Sequence, residues 1–319
     1  MTTRREWIGG AFSAAAAAAA ATSAKTFAGR WNPVQGAAPK EQERTTSSQA
    51  RNRISLAQWS LHRAIAGGSI DPVDFPTMAK RDYGISGVEY VNSFYRSQMG
   101  DASGLAASLK KRCTDAGVTS VLIMCDGEGD LGAPDAKARG TAVENHLKWL
   151  ELAQSLGCHS IRVNAKSDGT PEEQAKLAAD GLRALSERAA GFGQDVIVEN
   201  HGGLSSHGDW LSGVIRSVGL PNCGTLPDFG NFYEYDRYQG VRDLMPYAKG
   251  VSAKSYDFSV DAAGAVAAET KIDFTQMLSI VREAKYAGWI GIEYEGNRMS
   301  EPDGIKATRD LLVKLGCVV

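Results

Sequence analysis

The sequence predicts an α/β protein folded as a (β/α)8 barrel, and three observations carry that prediction. Strand-like and helix-like patterns alternate eight times between residues 53 and 319. Polar residues close nearly every strand segment, as they do where parallel strands converge on one functional face. Several helix segments run into a glycine immediately before the next strand, which is a helix C-terminal signature. The competing architecture is a doubly wound sheet. It is disfavoured because no Gly-x-Gly-x-x-Gly follows the first strand.

The strand segments are read at 54–60, 87–92, 119–125, 160–164, 196–200, 223–228, 250–254 and 290–295. Helices are read between and after them, at 71–83, 102–116, 135–156, 171–191, 209–218, 241–247, 273–287 and 301–315. The helix over 102–116 ends on Ala116-Gly117, and the one over 135–156 on Leu156-Gly157. Within the latter, the run from Lys148 to Leu156 carries apolar residues at i, i+3/i+4 spacing. Thr170-Pro171-Glu172-Glu173 opens the next helix, with proline at its first position and acids in its first turn. Ala287-Gly288 marks the expected end of the helix before the last strand.

Composition excludes several classes. The chain has 319 residues, 43% hydrophobic and 23% charged, with a formal net charge of −2. That balance suits one large globular domain and gives no basis for binding nucleic acid or an anionic membrane. Cys113, Cys125, Cys158, Cys223 and Cys317 show no zinc spacing and are expected as small buried side chains. At the N-terminus, Arg4-Arg5 precedes eight alanines, Ala14 to Ala21. Residues 1–28 are therefore expected to be a twin-arginine-type signal peptide. Residues 29–52 are expected to be a flexible linker, and 53–319 the catalytic barrel. The expected location is periplasmic, with no stable membrane association after the signal is removed.

The strand ends carry the chemistry. Glu199, Asp228 and Glu293 each follow a run of apolar or small residues, and barrel closure brings them onto one face although the outer two lie about 95 residues apart. Three converging carboxylates repel unless a cation or protons intervene. Oxygen ligation suits Mn²⁺ or Mg²⁺, and an added imidazole would suit Zn²⁺ or Co²⁺. Lys254 offers a second source of positive charge at the same face. The mouth is further furnished by Gln58, Trp59, Ser60 and His62, by Glu89, Tyr90 and Asn92, and by Cys125, Asp126 and Glu128. Arg162, Asn164, Lys166, Asn200, His201, Asn231 and Glu295 complete it. Of these, Trp59, His62, Glu89, Asn164, His201, Asn231 and Glu295 are read as substrate-binding positions. Trp59, Tyr90, Phe229 and Tyr256 are candidates to stack on a sugar face. His146 and His159 are read as structural, and His207 as a lesser candidate for the site.

From about Ile54 to Leu315 the chain resembles the sugar phosphate isomerase/epimerase group, whose members are xylose isomerase-like TIM barrels. The matching motifs are Glu199 closing strand five, Asp228 closing strand six, and Glu293 within Gly291-Ile292-Glu293-Tyr294-Glu295-Gly296. The resemblance implies Glu199, Asp228 and Glu293 as ligands of one divalent cation. It also implies a histidine at strand seven, where this chain has Ser252 in Ser252-Ala253-Lys254-Ser255. His201, a water or Lys254 is left to complete the centre. Asn231 stands where epimerases place a substrate-contacting histidine. The expected reaction is isomerisation or epimerisation of a sugar or keto-sugar by proton abstraction next to a carbonyl, with Glu199, Glu293 and Lys254 as catalytic groups. The alternatives are a lyase or dehydratase relying on Lys254, and a carbohydrate-binding barrel without catalysis. The resemblance is also compatible with homo-oligomerisation.

Overall fold

A computed structural model describes residues 51–319. The expected signal peptide and all but the last two residues of the expected linker lie outside the described residues.

Eight parallel strands form the barrel wall: β1 (Arg53–Ala57), β2 (Gly87–Val91), β3 (Thr119–Met124), β4 (Ser160–Val163), β5 (Asp195–Glu199), β6 (Cys223–Leu226), β7 (Val251–Ser255) and β10 (Trp289–Tyr294). Neighbours pair in the order β6-β5-β4-β3-β2-β1-β10-β7. The curl is joined between β6 and β7 by three backbone hydrogen bonds: Lys249 N–H to Thr225 O, Ser252 N–H to Pro227 O, and Phe229 N–H to Ser252 O (2.9–3.0 Å). Two apolar clusters follow from strand alternation. A large one lies between strands and helices. A small one, including Val91, Leu122, Met124, Ile197, Leu226 and Trp289, fills the barrel interior.

The helices are α1 (His62–Ala66), α2 (Phe75–Tyr83), α3 (Ala102–Ala116), α4 (Ala136–Leu156), α5 (Pro171–Ala190), α6 (Gly208–Val218), α7 (Arg237–Leu244), α8 (Phe274–Glu283) and α9 (Glu301–Lys314). Gly117 and Gly157 end α3 and α4 in the left-handed conformation, as expected. Thr170 and Glu173 form a full capping box on α5.

Three expectations are corrected and one element is added. The first strand stops at Ala57, and residues 58–61 form a 3-10 turn that aims Gln58 inward to donate to Tyr95 Oη (2.7 Å). The helix expected over 241–247 runs from Arg237, capped by Asp236, because the polar run Arg237-Tyr238-Gln239 hides its apolar period. The helix expected to reach residue 287 ends at Glu283, and the left-handed residue is Lys285 (φ 57°) rather than Gly288. A two-stranded hairpin, β8 (Phe258–Val260) with β9 (Val266–Glu269), decorates the connection after β7. Its anchor is Glu269, 6% exposed, which accepts the backbone N–H groups of Tyr256 and Asp257. All five cysteines are buried and unpaired. None of the described helices is long and apolar enough to cross a membrane.

Candidate active site

Period-two alternation decides which side chains enter the barrel. In β10 the inward positions are Gly291 and Glu293, while Ile292 and Tyr294 pack outward. In β7 they are Ser252 and Lys254, with Lys254 directly opposite Glu293. In β4, Arg162 points inward between the outward Ile161 and Val163. Glu199 and Asp228 enter from the ends of β5 and β6, both fully buried.

The three carboxylates expected to converge do so. Glu199, Asp228 and Glu293 each place an oxygen within 4.8 Å of the others. Two buried cations are threaded among them. Lys254 Nζ lies 3.2 Å from Glu293 Oε1 and 3.4 Å from Glu295 Oε2, and it donates to Asn231 Oδ1 (3.3 Å). Asn231 in turn donates to Glu199 Oε1 (3.1 Å). On the other side, Arg162 Nε lies 2.9 Å from Glu199 Oε2, and its Nη1 lies 2.8 Å from Asp126 Oδ1. The Arg162–Glu199 pair has ion-pair distance without hydrogen-bond alignment, so Glu199 Oε2 is left without a hydrogen-bond donor. The same holds for Asp228 Oδ2. Ser252 donates to Glu293 Oε2 (3.2 Å).

The supports of Asp228 explain its fixed aim. Asn200 donates to Asp228 O and accepts from Asp228 N–H (3.1 and 2.8 Å), a reciprocal pair between neighbouring strand ends. Asp228 Oδ1 then accepts the N–H groups of Gly230 and Asn231 (both 2.9 Å). That leaves Oδ2 alone to face the centre.

Electrostatics separate the carboxyls. Burial pushes Glu199 up to about 7, with Glu293 adding to the rise and Arg162 opposing it. Asp228 is likewise raised to about 7 by burial, against the pull of Lys254. For Glu293, burial alone would raise the value, but Lys254 and Arg162 more than offset it and hold the group low. Burial alone would lower Lys254; Asp228, Glu293, Glu199 and Glu295 overcome that and hold it as an ammonium. Glu89 packs over Gly291, two residues before Glu293 and hence nearer the barrel floor. A β-carbon on Gly291 would meet the Glu89 carboxylate at 2.5 Å, so a larger residue there would push Glu89 aside. Ser55 donates to Glu89 (2.6 Å), yet burial drives its carboxyl up to about 8.

The remaining expected site residues divide. Trp59 donates to Glu295 Oε1 (2.7 Å) and stacks on His62, ring centroids 4.7 Å apart. Asn164 donates to Asp126 Oδ1 (2.7 Å), and its own Oδ1 is buried without a partner. His201 is exposed at the rim beside Arg162 and Asp126, and the partial loss of water around its ring, with Arg162 adding, lowers its proton affinity. Tyr90 and Phe229 are not sugar platforms. Tyr90 points outward to Cys113 and Ser120, and Phe229 packs edge-on against Phe274 in the outer core. His207 lies against Tyr235, and His146 bonds the carbonyl of Ala142 (2.7 Å). The sequence places Arg162, Asp126 and Asn200 at the mouth without a specific role; the structure pairs Arg162 with Glu199 and Asp126, and Asn200 with Asp228. The signal for Arg162 was its place between two apolar residues of a strand, which sends it to the barrel interior.

A cavity of about 510 Å³ opens beside the cluster over the ends of β3, β4 and β5. It shares Asn164 and His201 with the mouth, while the three carboxylates lie outside its lining.

Solved structures with this fold match most of the chain. One is the 3-keto-D-glucoside 4-epimerase YcjR from E. coli in its apo form, at 19% identity and TM-score 0.59, covering 77% of this chain and 94% of that one. Another is the probable 3-DHS dehydratase AsbF, involved in petrobactin synthesis, from Bacillus anthracis. It is 17% identical with TM-score 0.61, over 82% of this chain and 98% of that one. A third, from Mycobacterium smegmatis, is a xylose isomerase-like TIM barrel protein in complex with magnesium, at 15% identity and TM-score 0.59, covering 83% and 96%. Comparison with the curated proteins returns no relative. The profile of the xylose isomerase-like TIM barrels matches residues 79–315, and with eight parallel strands and intervening helices in place, the chain belongs to that family.

Proposed function

We propose that this protein is an isomerase or epimerase of an uncharged sugar or keto-sugar, working by proton transfer next to a carbonyl. One observation carries the reading: two glutamates face one buried centre, and their surroundings push their proton affinities apart. Glu293 is held as a carboxylate beside Lys254, which suits a base. Glu199, raised to about 7, carries a proton for part of the time at neutral pH, which suits an acid. In this scheme Glu293 takes the proton from the carbon next to the carbonyl. Glu199 returns one to the opposite face, giving epimerisation, or to the neighbouring carbon, giving isomerisation. The Lys254 ammonium stabilises the enediolate oxygen that forms between the two steps. Asn231, bonded to both Glu199 and Lys254, keeps the two in register.

Asp228 Oδ2, which no group donates to, together with carboxylate oxygens of Glu199 and Glu293 within 4.8 Å, fits a hard divalent cation. Glu199, Asp228 and Glu293 would hold it. When bound, it supplies further neutralisation of the cluster and polarisation of the carbonyl oxygen. The fold likeness to the magnesium complex from Mycobacterium smegmatis is in line with that assignment. Lys254 is an electrostatic partner here and not a Schiff-base nucleophile, since four carboxylates keep it protonated. If the substrate has a leaving group β to the carbanion, the same groups perform elimination, a reading in line with the fold likeness to AsbF. The periplasmic location expected from residues 1–28 fits an uncharged sugar better than a sugar phosphate.

The test is exchange of solvent deuterium into a keto-sugar, beginning with a 3-keto-D-glucoside because of the likeness to YcjR. Wild type is expected to incorporate label. Glu293→Gln and Glu199→Gln are each expected to lower the rate by about 10²–10⁴-fold, the range for a lost general acid or base. Binding of the sugar with no label entering would leave a carbohydrate-binding barrel. Elemental analysis of the purified protein tests the cation: about one equivalent is expected in wild type and a marked loss in Asp228→Asn, and wild type free of any divalent metal would remove that half of the proposal.

A further inference from the structure

The cavity over β3, β4 and β5 has no part in the proton transfers. Its volume of about 510 Å³ falls within the range of ligand pockets, about 300–1,000 Å³. It adjoins the mouth at Asn164 and His201, so a ligand seated over Glu199 and Glu293 can extend into it.

The lining specifies the chemistry of what extends there. Glu128 is saturated by Lys148 (2.8 Å), Arg96 (3.4 Å) and the Asn92 amide (3.0 Å). Asp130 and Lys166 neutralise each other at 3.0 Å. Among the described residues no lining cation is left over to receive a phosphate or carboxylate. Among the described residues no Trp, Tyr or Phe lines the cavity, so an aryl group would find only the imidazoles of His146 and His201 to stack on. Hydrogen-bonding capacity is what remains. The Asn164 Oδ1 acceptor is buried without a donor. His146 uses Nδ1 on the Ala142 carbonyl, which leaves Nε2 as its remaining polar atom. His201 adds a ring nitrogen, and Ala165 and Leu204 add apolar lining. Neutral acceptors and donors around small apolar patches are what a hydroxyl-rich, uncharged ring requires.

We infer that this cavity is a second glycosyl subsite, so that the substrate is a glycoside or disaccharide whose keto-sugar unit reacts between Glu199 and Glu293. The inference rests on the proposed proton-transfer reading for its orientation, though the subsite itself can be tested without turnover.

The experiment compares one keto-hexose, free and as the reacting unit of a disaccharide, with wild type and with Gln174→Trp, which fills the cavity from the surface of α5. Wild type is expected to favour the disaccharide in kcat/KM by about tenfold or more. Gln174→Trp is expected to erase that preference through KM while leaving the free keto-hexose within about twofold. Leu204→Trp serves as an independent filling variant, and thermal melting checks that both fold. Equal kcat/KM for the two substrates in wild type would overturn the subsite. If neither substrate exchanges deuterium, the proton-transfer reading fails by itself. Calorimetric titration with the matching disaccharide lacking the ketone, against glucose, then decides the subsite: tighter disaccharide binding that is lost in Gln174→Trp supports it, and equal binding removes it.

Discussion

Replacing Lys254 with methionine is expected to be the most damaging single change in the barrel. Lys254 is 2% exposed and is the cation nearest Glu293, Glu295 and the Asn231 carbonyl. Methionine keeps most of the side-chain volume and removes the charge, leaving Glu199, Asp228 and Glu293 to repel one another. Breaking a buried ion pair from one side costs about 3–5 kcal/mol, because the stranded charges stay desolvated. Removing Lys254 also clears a competitor from the carboxylate cluster. Two outcomes are therefore expected together: Lys254→Met melts well below wild type in chelated buffer, and added Mn²⁺ restores more stability to the variant than to wild type. A variant that melts with wild type, or that gains nothing extra from Mn²⁺, would show that Lys254 is not what neutralises this cluster.

The second large effect concerns pH. Glu89, Glu199 and Asp228 have folded-state values raised to about 8, 7 and 7. A raised carboxyl means the folded state holds its proton more tightly than the unfolded chain does. The stabilisation is complete below the unfolded value near pH 4 and is lost as pH rises through the folded value. Without a bound cation the protein should therefore melt progressively lower between about pH 5 and pH 8. Glu293 and Asp126 run the opposite way. Their folded values are lowered, Asp126 to about 2, so their contribution is present above pH 4 and fades only in acid. Glu89 isolates the first effect. It faces Ser55, Glu293, Glu199 and Arg162 and is 2% exposed, and glutamine copies its protonated form. A rise from 4.5 to about 8 corresponds to a loss on the order of 5 kcal/mol on the alkaline side. Glu89→Gln should flatten the decline and melt above wild type at pH 8. An unchanged slope between pH 5 and pH 8 would show that Glu89 does not titrate in that window.

The two effects share a cause that reaches function. Six carboxylates, those of Glu89, Asp126, Glu199, Asp228, Glu293 and Glu295, surround two buried cations, Arg162 and Lys254. That imbalance destabilises the fold at neutral pH. It also raises Glu199 to about 7, the condition that the proposed acid–base work requires.

Much of this was legible in the sequence because strand alternation and barrel topology are local rules with a global result. Eight strand segments ending in polar residues fix a barrel, and a carboxylate at the end of a strand fixes its presence at one face. Glu199, Asp228, Glu293, Lys254, Asn231 and Glu295 came together for that reason. Other features depended on contacts between elements distant in the chain. Which way Tyr90 and Phe229 point follows from strand register, and a shift of one residue reverses it. Arg162 acquired its role only when β4 placed it between Asp126 and Glu199, and Asn200 only when the end of β5 met Asp228. The start of α7 at Arg237 was set by an Asp236 cap, and the end of α8 at Glu283 is followed by a left-handed Lys285, choices that packing makes against the local pattern. The sequence by itself thus determined the barrel and the identity of its buried acids. Only the tertiary structure decided which acid keeps its proton and which cation faces it, because burial and charge separation are properties of assembled neighbours and not of any one segment.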